Sequence, residues 1–141
     1  DTNMNNEFDR NFLRNEIIPS LAERWSKLSE RASFTSLTAK KKKQSLDFML
    51  EKNFEKEISS GILERTNFDN IPPFLIEELI RLILRKRNIA APNQKVLSEI
   101  MNVFFHKKPT NESYVEWSRK DGEQTGGKVY CEHNDIIFQK K

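Results

Sequence analysis

With 141 residues, 36% hydrophobic and 32% charged, the chain is sized for one domain, and its ten Phe and two Trp exclude disorder throughout. A net charge of +3 permits nucleic-acid contact without demanding it. The lone Cys131 excludes an internal disulfide, and no apolar run approaches the roughly 20 residues of a membrane-spanning helix.

No signal peptide is expected, and the start at Asp1 leads us to expect an excised piece of a longer protein. The expected compartment is the cytosol or nucleus. Residues 1–6 are polar and read as a frayed end. Apolar positions then fall at helical spacing through Phe8, Phe12, Ile17, Leu21, Trp25 and Leu28. Pro19 lacks a backbone donor and predicts a kink or a fresh helix start. Ser33–Thr38 reads as a connection. A helix is predicted from about Ala39 to Ser59, with Leu46, Met49, Leu50, Phe54 and Ile58 on one face and Gly61 as its stop. Ile62-Leu63 is a short turn or strand.

Asp69 or Asn70 before Pro72-Pro73 predicts a helix start. The helix to Arg87 carries Leu75, Ile76, Leu79, Ile80, Leu82, Ile83 and Leu84 over an arc of roughly 200°. A second helix, Asn93–His106, carries a similar arc through Val96, Leu97, Ile100, Met101, Val103, Phe104 and Phe105. The period then falls to two. Ser113–Ser118 and Lys128–His133 alternate, around a loop holding three of the four glycines. Ile136–Gln139 is a third strand or a bulged continuation. The fold class is therefore mainly α with a small antiparallel β-sheet. We divide the chain into an N-terminal helical layer, residues 1–38, and a core, residues 39–141.

Three helices followed by strand, loop and strand is the element order of a winged helix. The alternative is a four-helix assembly with an unrelated hairpin. In a winged helix, residues 93–106 take the recognition position and residues 118–127 form the wing. The candidate nucleic-acid contacts are then Lys95, Asn102, Arg119 and Lys120. Base-reading side chains are few, and Glu99 opposes phosphate, so any DNA contact should be weak and sequence-blind. The wide apolar arcs need cover on two sides, either from the N-terminal helices or from a second subunit. Candidate interface residues are Phe8, Phe12, Trp25, Leu79, Ile83 and Met101.

Lys40-Lys41-Lys42-Lys43 reads as a nuclear-import or phosphate-contacting run, or as a solvated helix start. Cys131 and His133 do not make a closed zinc spacing, and no phosphate or dinucleotide loop is present. We expect no catalytic, metal or cofactor residues and no small-molecule substrate. Cys131 acts as a nucleophile only if folding brings His106 near.

The apolar helix Pro73–Arg87, the greasy helix Asn93–His106 and the strands around Tyr114–Trp117 and Val129–Phe138 carry a resemblance. The chain resembles winged-helix domains at the C-termini of origin-recognition and related chromatin proteins. Among them it is similar to the dimerising domain of a fungal silent-information-regulator family. The resemblance implies a non-catalytic module of the nucleus that homodimerises within a silencing assembly and touches other chromatin proteins. The second expectation is a nucleic-acid-binding winged helix.

Overall fold

The computed structural model describes residues 9–118 and 125–141. Its chain is mainly helical, with one small four-stranded antiparallel sheet. It divides into two compact units, residues 1–46 and 47–141. The boundary falls within a single long helix.

Unit 1 begins with α1 (Asp9–Phe12), passes through a π-helical turn (Leu13–Ile17) and continues as α2 (Ile18–Arg24). Pro19 explains the change of register. Its ring nitrogen has no proton for the carbonyl four residues back, and the chain widens just before it. The Ile18 N–H accordingly bonds the Leu13 carbonyl, five residues back. Trp25 leaves helical geometry at φ −126°, ψ 83° and ends α2. The Leu28 N–H then bonds the Trp25 carbonyl at 2.9 Å and opens α3 (Leu28–Asn53). This helix runs straight through Ser33–Thr38, where a connection was expected. Serine and threonine lower helix propensity by only tenths of a kcal/mol each, and neither Gly nor Pro interrupts the run. Of the described unit 1 residues, Asn11 alone is buried.

Unit 2 holds the core. α3 stops at Asn53, short of the helix end expected at residue 59. Phe54 breaks the helix at φ −130°, ψ 37° before α4 (Glu55–Ser60) begins. The break lets the Phe54 ring stack on Phe68, 5.7 Å between centroids, and Phe68 meets Phe105 edge-on at 6.3 Å. Gly61 closes α4 in the left-handed region at φ 72°, its N–H bonded to the Glu57 carbonyl at 2.8 Å. A Cβ there would sit 2.7 Å from Arg87 Nε, so this stop needs glycine for space as well as for backbone freedom.

β1 (Ile62–Glu64) leads through a 3₁₀ turn (Arg65–Phe68) to α5 (Pro73–Lys86). Pro72 occupies the position before the helix and no side chain caps it. Asp69, named with the expected helix start, pairs with Arg65 at 3.5 Å. At the other end Asn88 turns left-handed, φ 53°, and the Ile89 N–H reaches back to the Leu84 carbonyl at 2.8 Å. α6 (Gln94–Met101) is capped by Asn93, whose Oδ1 accepts from the Val96 N–H at 3.0 Å, and it finishes in a π-helical turn to His106.

The sheet follows: β2 (Tyr114–Trp117), β3 (Gly127–Glu132) and β4 (Asp135–Lys140), in the order β1-β4-β3-β2. One face buries Leu63, Val115, Trp117, Val129, Cys131, Ile136 and Phe138. The buried residues of α5 and α6 belong to the same core, including Ile76, Ile80, Leu84, Leu97, Ile100 and Phe104. The Trp117 indole N–H is satisfied inside it by the Ala90 carbonyl at 2.6 Å.

Candidate nucleic-acid interface

Leu79, Ile83 and Met101 were expected to face a second subunit. They are 1%, 0% and 3% exposed and lie in the core of unit 2. A wide apolar arc is covered here inside the unit, because the helices of this unit and the inner sheet face enclose it from several directions. The faces that motivated a homodimer are thus already occupied. Phe12 and Trp25 remain exposed, and Phe8 lies outside the described residues.

Lys95 and Asn102 are exposed on α6 and the turn that follows it. Their neighbour Gln94 accepts a bond from Arg81 Nη2 at 3.0 Å. Arg119 and Lys120 lie outside the described residues. The basic cluster closing α5 is engaged in holding the fold. Arg85 pairs with Asp47 at 2.6 Å, Lys86 with Glu51 at 2.7 Å, and Arg87 Nη1 donates to the carbonyls of Ser59 and Ser60.

Acidic and basic residues are equal in number across residues 47–141, so the net charge of +3 belongs to residues 1–46. There the exposed cations have an order. Arg24, Lys27 and Arg31 line a shallow cleft of about 580 Å³ together with Trp25, Ser26 and Leu28. The Arg24 guanidinium sits 5.4 Å from the centroid of the Trp25 ring. From this cleft Arg31, Thr35, Thr38 and Lys42 continue along α3 at spacings of four, three and four residues. Those spacings place them on one helix face, spanning about 16 Å, with no acidic residue among them. The result is a basic stripe ending at an aromatic ring, an arrangement suited to phosphates and an adjoining base.

Trp25 had been singled out only as an apolar contact. The cations around it went unnoticed because Arg24 and Lys27 flank a helix break, where no periodic pattern marks them. The spacing of Arg24, Lys27 and Arg31 around Trp25 was the available signal. Phe34, Leu37 and Phe48 also stand exposed along α3, at 70%, 51% and 65%.

Cys131 is 2% exposed, and its thiol donates to the His133 carbonyl at 3.8 Å. Loss of solvent raises its pKa above the ordinary 9.0, and the nearby Asp135 carboxylate adds to the shift while Arg65 opposes it. The thiol therefore stays protonated at neutral pH, which does not suit a nucleophile. A thiol that ionises more readily unfolded than folded stabilises the fold fully below the unfolded value, and that contribution is lost as pH rises through the folded value. Denaturation midpoints of the wild type should therefore fall more between about pH 7 and about pH 10 than those of Cys131→Ala. Equal falls would show that the thiol is not held protonated. Among the described residues no three His, Cys, Asp or Glu are grouped to hold a metal ion.

No protein-family profile matches the chain. Individual proteins do. A tRNA(Ile)-lysidine synthase of Haemophilus ducreyi is 30% identical over 108 residues, covering 75% of this chain and 25% of its own length. One from Buchnera aphidicola subsp. Acyrthosiphon pisum is 34% identical over 95 residues, covering 67% and 22%. One from Haemophilus influenzae is 27% identical over 143 aligned positions, covering 100% and 31%. The chain thus spans between 22% and 31% of the length of these relatives.

These relatives overturn the resemblance to fungal chromatin winged helices, and with it the non-catalytic role in a silencing assembly and the nucleus. The relatives are bacterial proteins, from cells without a nucleus, and their name is that of an enzyme directed at tRNA. The expectation of a non-enzyme falls on the same finding. Element order alone carried that resemblance, and unrelated proteins share an order of helices and strands.

Proposed function

We propose that this chain is part of a tRNA(Ile)-lysidine synthase and that its unit 1 holds tRNA by the phosphate backbone. The lysidine-forming reaction is assigned to the whole protein, of which the chain is one stretch. The observation that carries the reading is the confinement of net positive charge to unit 1, arranged there as the stripe from Arg24 to Lys42. The relatives' name supplies the polyanion.

Arginine offers a planar fork of N–H donors to a phosphate, and lysine a point charge. Arg24 and Arg31 would grip phosphates beside Trp25, and Lys42 would meet the backbone further along α3. Such contacts place an RNA without reading its sequence. The Trp25 ring, steadied by Arg24, offers a stacking surface where the stripe ends.

The test is a titration of the chain with a tRNA(Ile) transcript over a series of salt concentrations. Four phosphate contacts predict a slope of about −3 for log affinity against log salt. A flat salt dependence, or no binding at low salt, refutes the reading.

A further inference from the structure

The sheet of unit 2 buries one face and leaves the other open. Across the open face, register aligns one residue from each strand: Ile62 opposite Ile137, Ile137 opposite Tyr130, and Tyr130 opposite Tyr114. Tyr114 is 59% and Ile62 37% exposed at the two ends, with Tyr130 and Ile137 half-buried between them. At ordinary strand spacing this row is about 14 Å long and a single side chain wide.

The rows on either side of it differ in charge. One row aligns Gln139, Lys128 and Glu116, and Lys141 pairs with Glu116 at 3.3 Å. Lys128 Nζ lies 4.8 Å from the Tyr114 ring centroid and 5.7 Å from that of Tyr130. The opposite row aligns Glu64, Asp135 and Glu132. The aromatic and apolar row is therefore bordered on one side by Lys128, beside a Glu116 neutralised by Lys141, and on the other by three carboxylates.

We propose that this open sheet face binds an unpaired stretch of RNA, with bases stacked on Tyr114 and Tyr130. This rests on the reading that the chain works on tRNA, and adds a second contact that recognises unpaired rather than helical RNA. Unpaired bases stack on sheet aromatics because every base has a π-face, and two or three bases match the length of the row. Lys128 lies over both tyrosine rings, and bases that stack there displace its ammonium to the edge of the row, where it meets a phosphate joining them. Glu64, Asp135 and Glu132 can accept from the amino groups on base edges, and they repel a backbone that tries to run on their side. The charge pattern thus sets the strand's orientation. A protein partner fits less well. A row one side chain wide between two charged rows offers far less than the roughly 800 Å² per partner of a stable interface.

Tyr114 and Tyr130 are the only two tyrosines of the chain, so a tyrosine probe reports this face alone. The full chain, labelled with 3-fluorotyrosine, is titrated with a single-stranded oligoribonucleotide and, separately, with a blunt RNA duplex. Both fluorine resonances should shift with the single strand and stay in place with the duplex. Tyr114→Ala and Tyr130→Ala should each weaken single-strand binding by about tenfold, while the Phe variants keep most of it. The proposal is overturned if the single strand binds and the resonances do not move, or if the Ala variants bind as well as the wild type. In that case salt-dependent tRNA binding through unit 1 still stands. Loss of all RNA binding, at any salt, overturns both. Resonances that move only when a protein is added assign the face to a protein contact and also overturn the proposal.

Discussion

Changing Arg24, Lys27, Arg31 and Lys42 together to Glu is expected to weaken binding of a tRNA(Ile) transcript at low salt by at least about a hundredfold. Each cation that neutralises a phosphate releases a condensed counterion, and the gain is greatest when little salt competes. Reversal removes that gain and adds repulsion from the next phosphate. All four residues are exposed, three of them line the cleft at Trp25, and Lys42 continues the same face of α3. Unit 2 draws none of its buried core from them, so its denaturation midpoint should stay within experimental error of the wild type. The salt slope should flatten together with the loss of affinity. The same four changes made at Lys52, Lys56, Lys95 and Lys140, which lie outside the stripe, should have a much smaller effect. If the two sets weaken binding equally, net charge and not the stripe governs the contact. A variant with unchanged affinity removes unit 1 from the interface altogether.

The second large effect is on folding. Ile83→Asp should unfold unit 2 at room temperature, with loss of its helical signal in circular dichroism. Ile83 is fully buried, at 0% exposure, in the last turn of α5. An aspartate there leaves water without any partner for its charge, and the apolar contacts of isoleucine go with it. The combined cost is on the order of several kcal/mol, comparable with the whole stability of a small domain. Leu79→Asp and Met101→Asp should behave alike, since both positions are enclosed in the same core. Phe12→Asp offers the contrast. Phe12 is 42% exposed, and its replacement should leave the helical signal in place. Sedimentation beside circular dichroism separates core from interface: a core position loses its helix, whereas an interface position loses only mass. A folded Ile83→Asp chain would contradict the burial seen here.

The failure over Leu79, Ile83 and Met101 shows how far periodicity reaches. Their spacing marked them as part of apolar arcs that need cover, but whether the covering surface came from the same chain or another could not be read from one helix. The same limit applies to Ser33–Thr38. Weak helix formers were read as a connection, although a long helix can carry several of them when no breaker intervenes. Phe54 shows the opposite case. It fitted the apolar face of a continuous helix, yet the helix breaks there as its ring joins Phe68 and Phe105.

By itself the sequence determined what depends on a residue and its near neighbours. Pro19 forced a register change, Gly61 stopped a helix, and Asn88 turned the chain after α5. The change of period after His106 marked where helices gave way to strands. These follow from local sterics, backbone donors and the geometry of each element. Tertiary structure decided what depends on pairing over long separations. It placed β1 beside β4, joining Ile62 to Ile137 and completing the row that ends at Tyr114. It enclosed the apolar arcs of α5 and α6 against a sheet within their own unit. It brought Lys128 over two tyrosines from different strands. None of this is written in a local period, because burial and cross-strand register belong to two surfaces at once, and one strand's pattern leaves its partner unspecified.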